Sequence, residues 1–294
     1  MNNLFKAALL TLSILFFANC ENDDTKENTE NEVGTVELKW DNIVGEMDMN
    51  LLEITDNNYM YKTVNEQEFN INKFGYYVTN IKLEGPDGAF YEDKVEVSAD
   101  KTTGVYHILE EDPSSTILDL IDVPAGIYNK ISFTVGIPEE IVEEGATGGV
   151  LDPANGAWFW NWNAGYIAFA IEGHASTSTQ SKVEKDGEVI TPEGFYRVHI
   201  GGWRDQVPVD GEDPKFVNNV KTITLEMDSD AKVATDLSPS IHILVNAKAL
   251  FDESNIDFST TFAVHAPGKG KAFAEVLEKV FTFSHVHQLG LCLG

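Results

Sequence analysis

The segment "FSHVHQ" sets His285 and His287 two residues apart near the C-terminus. On a β-strand, side chains at i and i+2 share a face, with Cα atoms roughly 6.5–7 Å apart. Two imidazoles at that spacing can lean onto one ion, and imidazole suits copper and zinc. Two unrelated polar residues on an exposed edge strand would give the same pattern. Binding through neutral imidazoles would release protons and weaken below about pH 6. The second segment with chemistry in it is "WFWNWNAGYIAF", residues 158–169, which holds Trp158, Trp160 and Trp162. Strand alternation would stack these indoles on one face and set Asn161 and Asn163 on the other. Three uses stay open: a ladder closing a core, a ring platform for a carbohydrate bordered by Asn161, Asn163 and Asp152, or a redox-active indole beside a metal.

The remaining candidates carry weaker signals. "YRVHIGGW" places His199 in a strand just before a Gly-Gly turn, and "AIEGHAS" places His174 at the end of the strand that follows the tryptophans. "IHILV" surrounds His242 with apolar residues, which reads as a core or pole histidine holding one hydrogen bond. His107 and His265 offer no spacing argument. No G-x-S-x-G elbow, H-E-x-x-H or P-loop occurs. "DPANG" (152–156) puts oxygen ligands in a turn but lacks the spacing of a calcium loop. With 48 acidic against 20 basic residues, the formal net charge is −28. That argues against nucleic acid and anionic lipid, and favours solubility and local enrichment of cations.

Strands must position these groups. "TVELKW" alternates, and "YYVTNIKL", "KISFTVGI", "GYIAFAIEG", "FYRVHIGG", "VKTITLEM", "IHILVNAKAL" and "KVFTFSHVH" are β-branched and aromatic. Turn signals such as Gly85-Pro86-Asp87-Gly88 and Asp186-Gly187 separate them. Helical periodicity is confined to 138–145 and 271–280, and "STILDLIDV" fits helix or strand. The expectation is an all-β fold, an antiparallel β-sandwich with one or two short helices. Residues 33–294 form one domain, with an excursion at 138–157.

The N-terminus lies outside that domain. Lys6 precedes an apolar run from Ala7 to Ala18 that is too short to span a bilayer, as in a secretory signal. "LFFANC" resembles a lipoprotein signal over 1–19, with Cys20 as the lipidated residue and Asn19 looser than the usual small residue. Residues 20–32 are acidic and polar and read as a disordered tether. Acidic residues directly behind Cys20 resemble the surface-export signal of Bacteroidetes lipoproteins. The expected location is the outer membrane, on its periplasmic or cell-surface face, through an acyl anchor. With Cys20 acylated, Cys292 is the one remaining thiol and no intrachain disulfide can form.

"WDNIVGEMDMNL", "FGYYVTNIKL" (74–83), "GVYHI" (104–108), "ISFTVGIP" (131–138), "LDPANGAWFWNWNAGYIAFAIEG" (151–173), "FYRVHIGG" (195–202) and "FTFSHVH" (281–287) occur in that order. Together they resemble the MbnP family of periplasmic or surface copper-binding proteins, over nearly the whole mature chain. The resemblance implies a non-enzymatic copper-binding protein. Its site would be built from histidines and a tryptophan oxidised to kynurenine by a partner, an MbnH-like dihaem peroxidase. Kynurenine carries an aromatic amine and a ketone and can ligate where indole cannot. Carried over to this chain, the H-V-H matches His285 and His287 and the W-N-W matches Trp160 and Trp162, with Trp160 favoured for oxidation and His199 as a completing ligand. Some members carry a histidine where this chain has Asn42. Cys292 would suit Cu(I) as an extra ligand or would belong to a frayed tail. The rival function is a carbohydrate-binding or adhesion surface lipoprotein that uses the tryptophan ladder.

Overall fold

The computed structural model describes residues 32–145, 147–205 and 215–290. The leader 1–19, Cys20, most of the tether and Cys292 fall outside the described residues. In chain order the main strands are β1 (Val33–Val44), β2 (Lys73–Glu84), β3 (Val105–Leu109), β4 (Ile117–Pro124), β5 (Gly126–Val135), β6 (Phe159–Asn161), β7 (Gly165–His174), β8 (Phe195–Gly201), β9 (Lys221–Val233), β10 (Leu237–Asn246), β11 (Ala263–His265) and β12 (Phe281–Gly290). They form two facing sheets. The smaller runs β4-β1-β10-β12, and the larger runs β9-β5-β2-β7-β8-β11 with β3 and β6 attached.

The expected β-sandwich is therefore present, but it is not wholly antiparallel. Strands β1 and β10 pair in parallel, as do β8 and β11. The first pairing follows from how the chain changes sheets. A tight turn closed by Ala234 and Leu237 carries it from the edge of the larger sheet into the smaller one. It then lands beside β1 instead of folding back along β9.

Alternation builds the core. In β1 the side chains of Val36, Leu38, Trp40 and Val44 are buried, with less buried residues between them. Trp40 meets Tyr76, Phe133 and Phe281 edge-on, at ring-centroid distances of 6.0, 5.0 and 6.4 Å, and so ties the sheets together. A second, smaller core lies on the outer face of the larger sheet. There Tyr77, Val105, Ile137, Leu151, Tyr166 and Trp203 are buried beneath the 138–157 excursion.

Helical content differs from the sequence expectation in placement. "NAKAL" is not strand: β10 stops at Asn246, whose side chain accepts a hydrogen bond from the Lys248 amide and caps the helix α1 (Ala247–Glu253). The 138–145 stretch yields only a single 3-10 turn at Glu139–Ile141. The helix expected over 271–280 starts earlier, as α2 (Pro267–Ala274), because Pro267 suits the first helical turn. "STILDLIDV" resolves as strand, in β4.

Candidate metal centre

The histidines segregate onto opposite outer faces of the sandwich. On the smaller sheet, β10 and β12 bring His242, His285 and His287 together. Their ligand atoms lie within 4.8 Å of one another. His242 stacks on His285 at 4.2 Å between centroids, and His287 lies 5.1 and 4.6 Å from those two rings.

A β-bulge is what places the H-V-H outward. His242 pairs with His285 and Ile243 with Phe283, so Ser284 is an extra residue in β12. Without it, Phe283 and His285 would share a face. With it, Phe283 and Val286 both pack against the core, and His285 and His287 both face solvent. Asp41 Oδ2 lies 2.7 Å from His242 Nδ1, and Lys39 sits 3.3 Å from the same carboxylate. Ser284 Oγ lies 2.9 Å from His285 Nδ1. Partial desolvation, helped by the neighbouring His242 and His287, holds His285 below the usual histidine range.

His199 is not part of that group. It lies on β8 in the larger sheet, facing away from the sandwich core. Its Nε2 is 2.6 Å from Glu172 Oε1 on β7, and its Nδ1 is 2.7 Å from His265 Nδ1 on β11. Burial opposes ionisation of Glu172. The hydrogen bond and charge of His199, with Lys73 and Arg197, outweigh it and leave the carboxyl below its usual range. An ionised Glu172 accepts a hydrogen bond from His199 Nε2–H, which leaves the Nδ1 lone pair toward His265. Carboxylate–histidine pairing of this kind is the usual outer support of a metal-ligating imidazole. Desolvation, with His199 and Arg197 nearby, lowers the His265 pKa and keeps that ring neutral.

Trp160 joins this second cluster, with its ring centroid 6.0 Å from that of His265. Its Nε1 is buried and has no hydrogen-bond partner among the described residues. A buried indole N–H normally finds an acceptor; Trp40 Nε1, in the core between the sheets, lacks one as well, but only Trp160 has a histidine pair beside it. The tight turn at Gly202 makes room for the ring. Gly202 has φ +84°, and a Cβ there would lie 2.6 Å from the Ala164 carbonyl oxygen and 2.9 Å from Trp160 Cζ3.

The expected three-indole ladder does not form, because β6 is only three residues long and gives way to the turn before β7. Trp158 packs edge-on to His107 at 4.5 Å under the Lys73 amine, and Trp162 packs against Phe159 at 4.8 Å. The three half-buried rings thus have three separate sets of neighbours and share no platform. Asn42 is structural: its amide donates to Glu110 Oε2 at 2.9 Å and its carbonyl accepts from the Tyr76 hydroxyl at 3.0 Å.

Sequence reasoning missed His265 and Glu172, and it read His242 as a core or pole histidine with one hydrogen bond; the bond is there, to Asp41, but the ring lies on the outer face. For His242 a usable signal existed. Ile241, Ile243 and Val245 alternate inward, which puts His242 on the opposite face. For His265 and Glu172 no local signal existed, since each meets His199 only through strand pairing.

Comparison with known proteins places the chain in a family. A solved structure, MbnP from Methylosinus trichosporium, is similar at 16% identity and a TM-score of 0.47, covering 78% of this chain and 80% of that one. No curated protein matches. The MbnP family profile matches residues 33–268, a span that takes in Trp160, His199 and His265 and ends before His285. On that match, the chain belongs to the MbnP family.

Proposed function

We propose that the protein is an extracytoplasmic copper-binding lipoprotein, anchored through Cys20 to the outer membrane and not itself an enzyme. Its copper site is the His199–His265 pair beside Trp160. The observation that carries this reading is Trp160 Nε1, buried without a partner among the described residues, on a ring 6.0 Å from that of His265, whose Nδ1 faces that of His199. Two imidazoles alone leave a copper ion short of donors, and an indole N–H has no lone pair to offer. Oxidation of Trp160 to kynurenine would convert that nitrogen into an aromatic amine at the same place.

An MbnH-like dihaem peroxidase supplies the oxidation. Two equivalents of peroxide break the indole C2–C3 bond and leave one oxygen on each carbon, releasing water. Hydrolysis then removes C2 as formate. The residues of this chain hold and orient. Glu172 fixes the tautomer of His199, His199 and His265 present their nitrogens, and Gly202 leaves space for the altered ring. Copper bound there would be held by nitrogen donors at the sheet edge, between the buried His199 and the exposed His265. The test is co-expression with such a peroxidase, followed by peptide mapping and copper analysis. The expected result is loss of one carbon and gain of one oxygen at Trp160, with copper retained. Mapping of the change to Trp158 or Trp162, or undiminished copper in Trp160→Phe, would refute the assignment.

A further inference from the structure

His285 and His287, which lie beyond the family-matched span, meet His242 on a face remote from Trp160. We propose that His242, His285 and His287 form a second metal site, for a divalent transition-metal ion of the zinc or Cu(II) type, on the solvent-facing side of the smaller sheet. It is independent of the Trp160 centre, from which the whole core of the sandwich separates it.

Three observations carry the inference. The first is convergence: three imidazoles from adjacent strands put their ligand atoms within 4.8 Å of one another. Donors around a tetrahedral zinc ion sit about 3.3 Å apart, so small rotations of the two exposed rings close the set. The backbone is already fixed by the strand pairing of His242 with His285 and of Ser240 with His287. The second is outer support. Asp41 holds His242 Nδ1 and is itself held by Lys39, which leaves His242 Nε2 as the nitrogen free to bind a metal. This is the carboxylate–histidine arrangement that orients and strengthens a metal ligand. The third is the bulge at Ser284. A regular strand would turn one of the pair Phe283 and Val286 out to solvent or His285 and His287 in. The extra residue instead satisfies the core and presents both imidazoles on the face of His242.

Three neutral nitrogens with no carboxylate in the first coordination sphere suit zinc, Cu(II) or nickel rather than calcium or magnesium. One coordination position stays open to water or to a ligand from solution. The strongly acidic chain raises the local concentration of any divalent cation.

The probe is Zn²⁺, titrated in competition with a chromophoric chelator into mature protein expressed without a haem partner, its tryptophans verified intact by mass. The expected result is stoichiometric binding that weakens at least ten-fold in His285→Gln with His287→Gln and is unchanged in His199→Ala with His265→Ala. Asp41→Asn is expected to weaken it by about 10–100-fold while leaving thermal unfolding in chelator unchanged. Absence of zinc binding in the parent protein, its persistence in the His285/His287 variant, or its loss only in the His199/His265 variant would overturn the proposal. Because the tryptophans are unmodified in this assay, failure of the kynurenine reading leaves its outcome untouched.

Discussion

His107 gives the protein a calculable sensitivity to acid. Its ring stacks on Tyr77 at 4.0 Å and meets Trp158 edge-on, and its Nε2 is buried without a partner. Burial, aided by the charge of Lys73, pushes its pKa down from 6.5 to about 4. The folded state therefore resists a proton that the unfolded chain accepts. The proton-linked penalty of this neutral histidine is absent above pH 6.5 and grows as the pH falls from there toward 4. The linkage amounts to about 3 kcal/mol between neutral pH and pH 4, a large part of a typical domain's stability. The perturbation is His107→Phe, which keeps an aromatic ring on Tyr77 and removes both the titrating group and the orphaned nitrogen. Urea unfolding at several pH values between 7 and 4 gives the stability of each protein. The carboxylates titrate alike in both, so the difference between the two curves isolates His107. The variant's curve is expected to separate progressively from the parent's below pH 6.5, reaching about 3 kcal/mol in the variant's favour near pH 4. Parallel curves would refute the burial argument.

Other expectations follow from the packing. Trp40→Ala opens a cavity where the sheets meet and is expected to cost about 3–5 kcal/mol, read as a fall in the urea midpoint. Asn42→Ala leaves Glu110 and the Tyr76 hydroxyl without their shared partner, at about 1–3 kcal/mol by the same assay. Gly202→Ala forces a side chain against Trp160 and a strained positive φ. It should lower the melting temperature and, in co-expressed protein, reduce the yield of oxidised Trp160 by peptide mapping. Glu172→Gln removes the carboxylate that fixes His199, and copper affinity at the Trp160 centre of co-expressed protein should fall about 10–100-fold while zinc binding at His242 is unaffected.

Much of the architecture is legible in local spelling, because a half-buried strand must alternate. Val36, Leu38 and Trp40 announce β1 in this way, and β-branched runs announce β5, β7 and β9. Where spelling misled, a local competitor won: Asn246 capped a helix inside an apolar run, and a three-residue strand could not keep three indoles in line. The MbnP resemblance, too, was carried by residues in sequence order, and the family match upholds it.

What the sequence by itself determined is the supply of chemistry: imidazoles on strands, clustered indoles, an acidic chain, and the alternation that turns His242 away from Ile241 and Ile243. The grouping was decided by tertiary structure alone. His199 meets Glu172 across 27 residues and His265 across 66, and Asp41 reaches His242 across 201. Those meetings depend on which strands pair and in which register, and the approach of His285 and His287 to His242 depends further on a single extra residue at Ser284. The physical reason is that hydrogen bonding between strands joins positions remote in sequence, while the period-two alternation read from a segment gives the face of a side chain but not its neighbour.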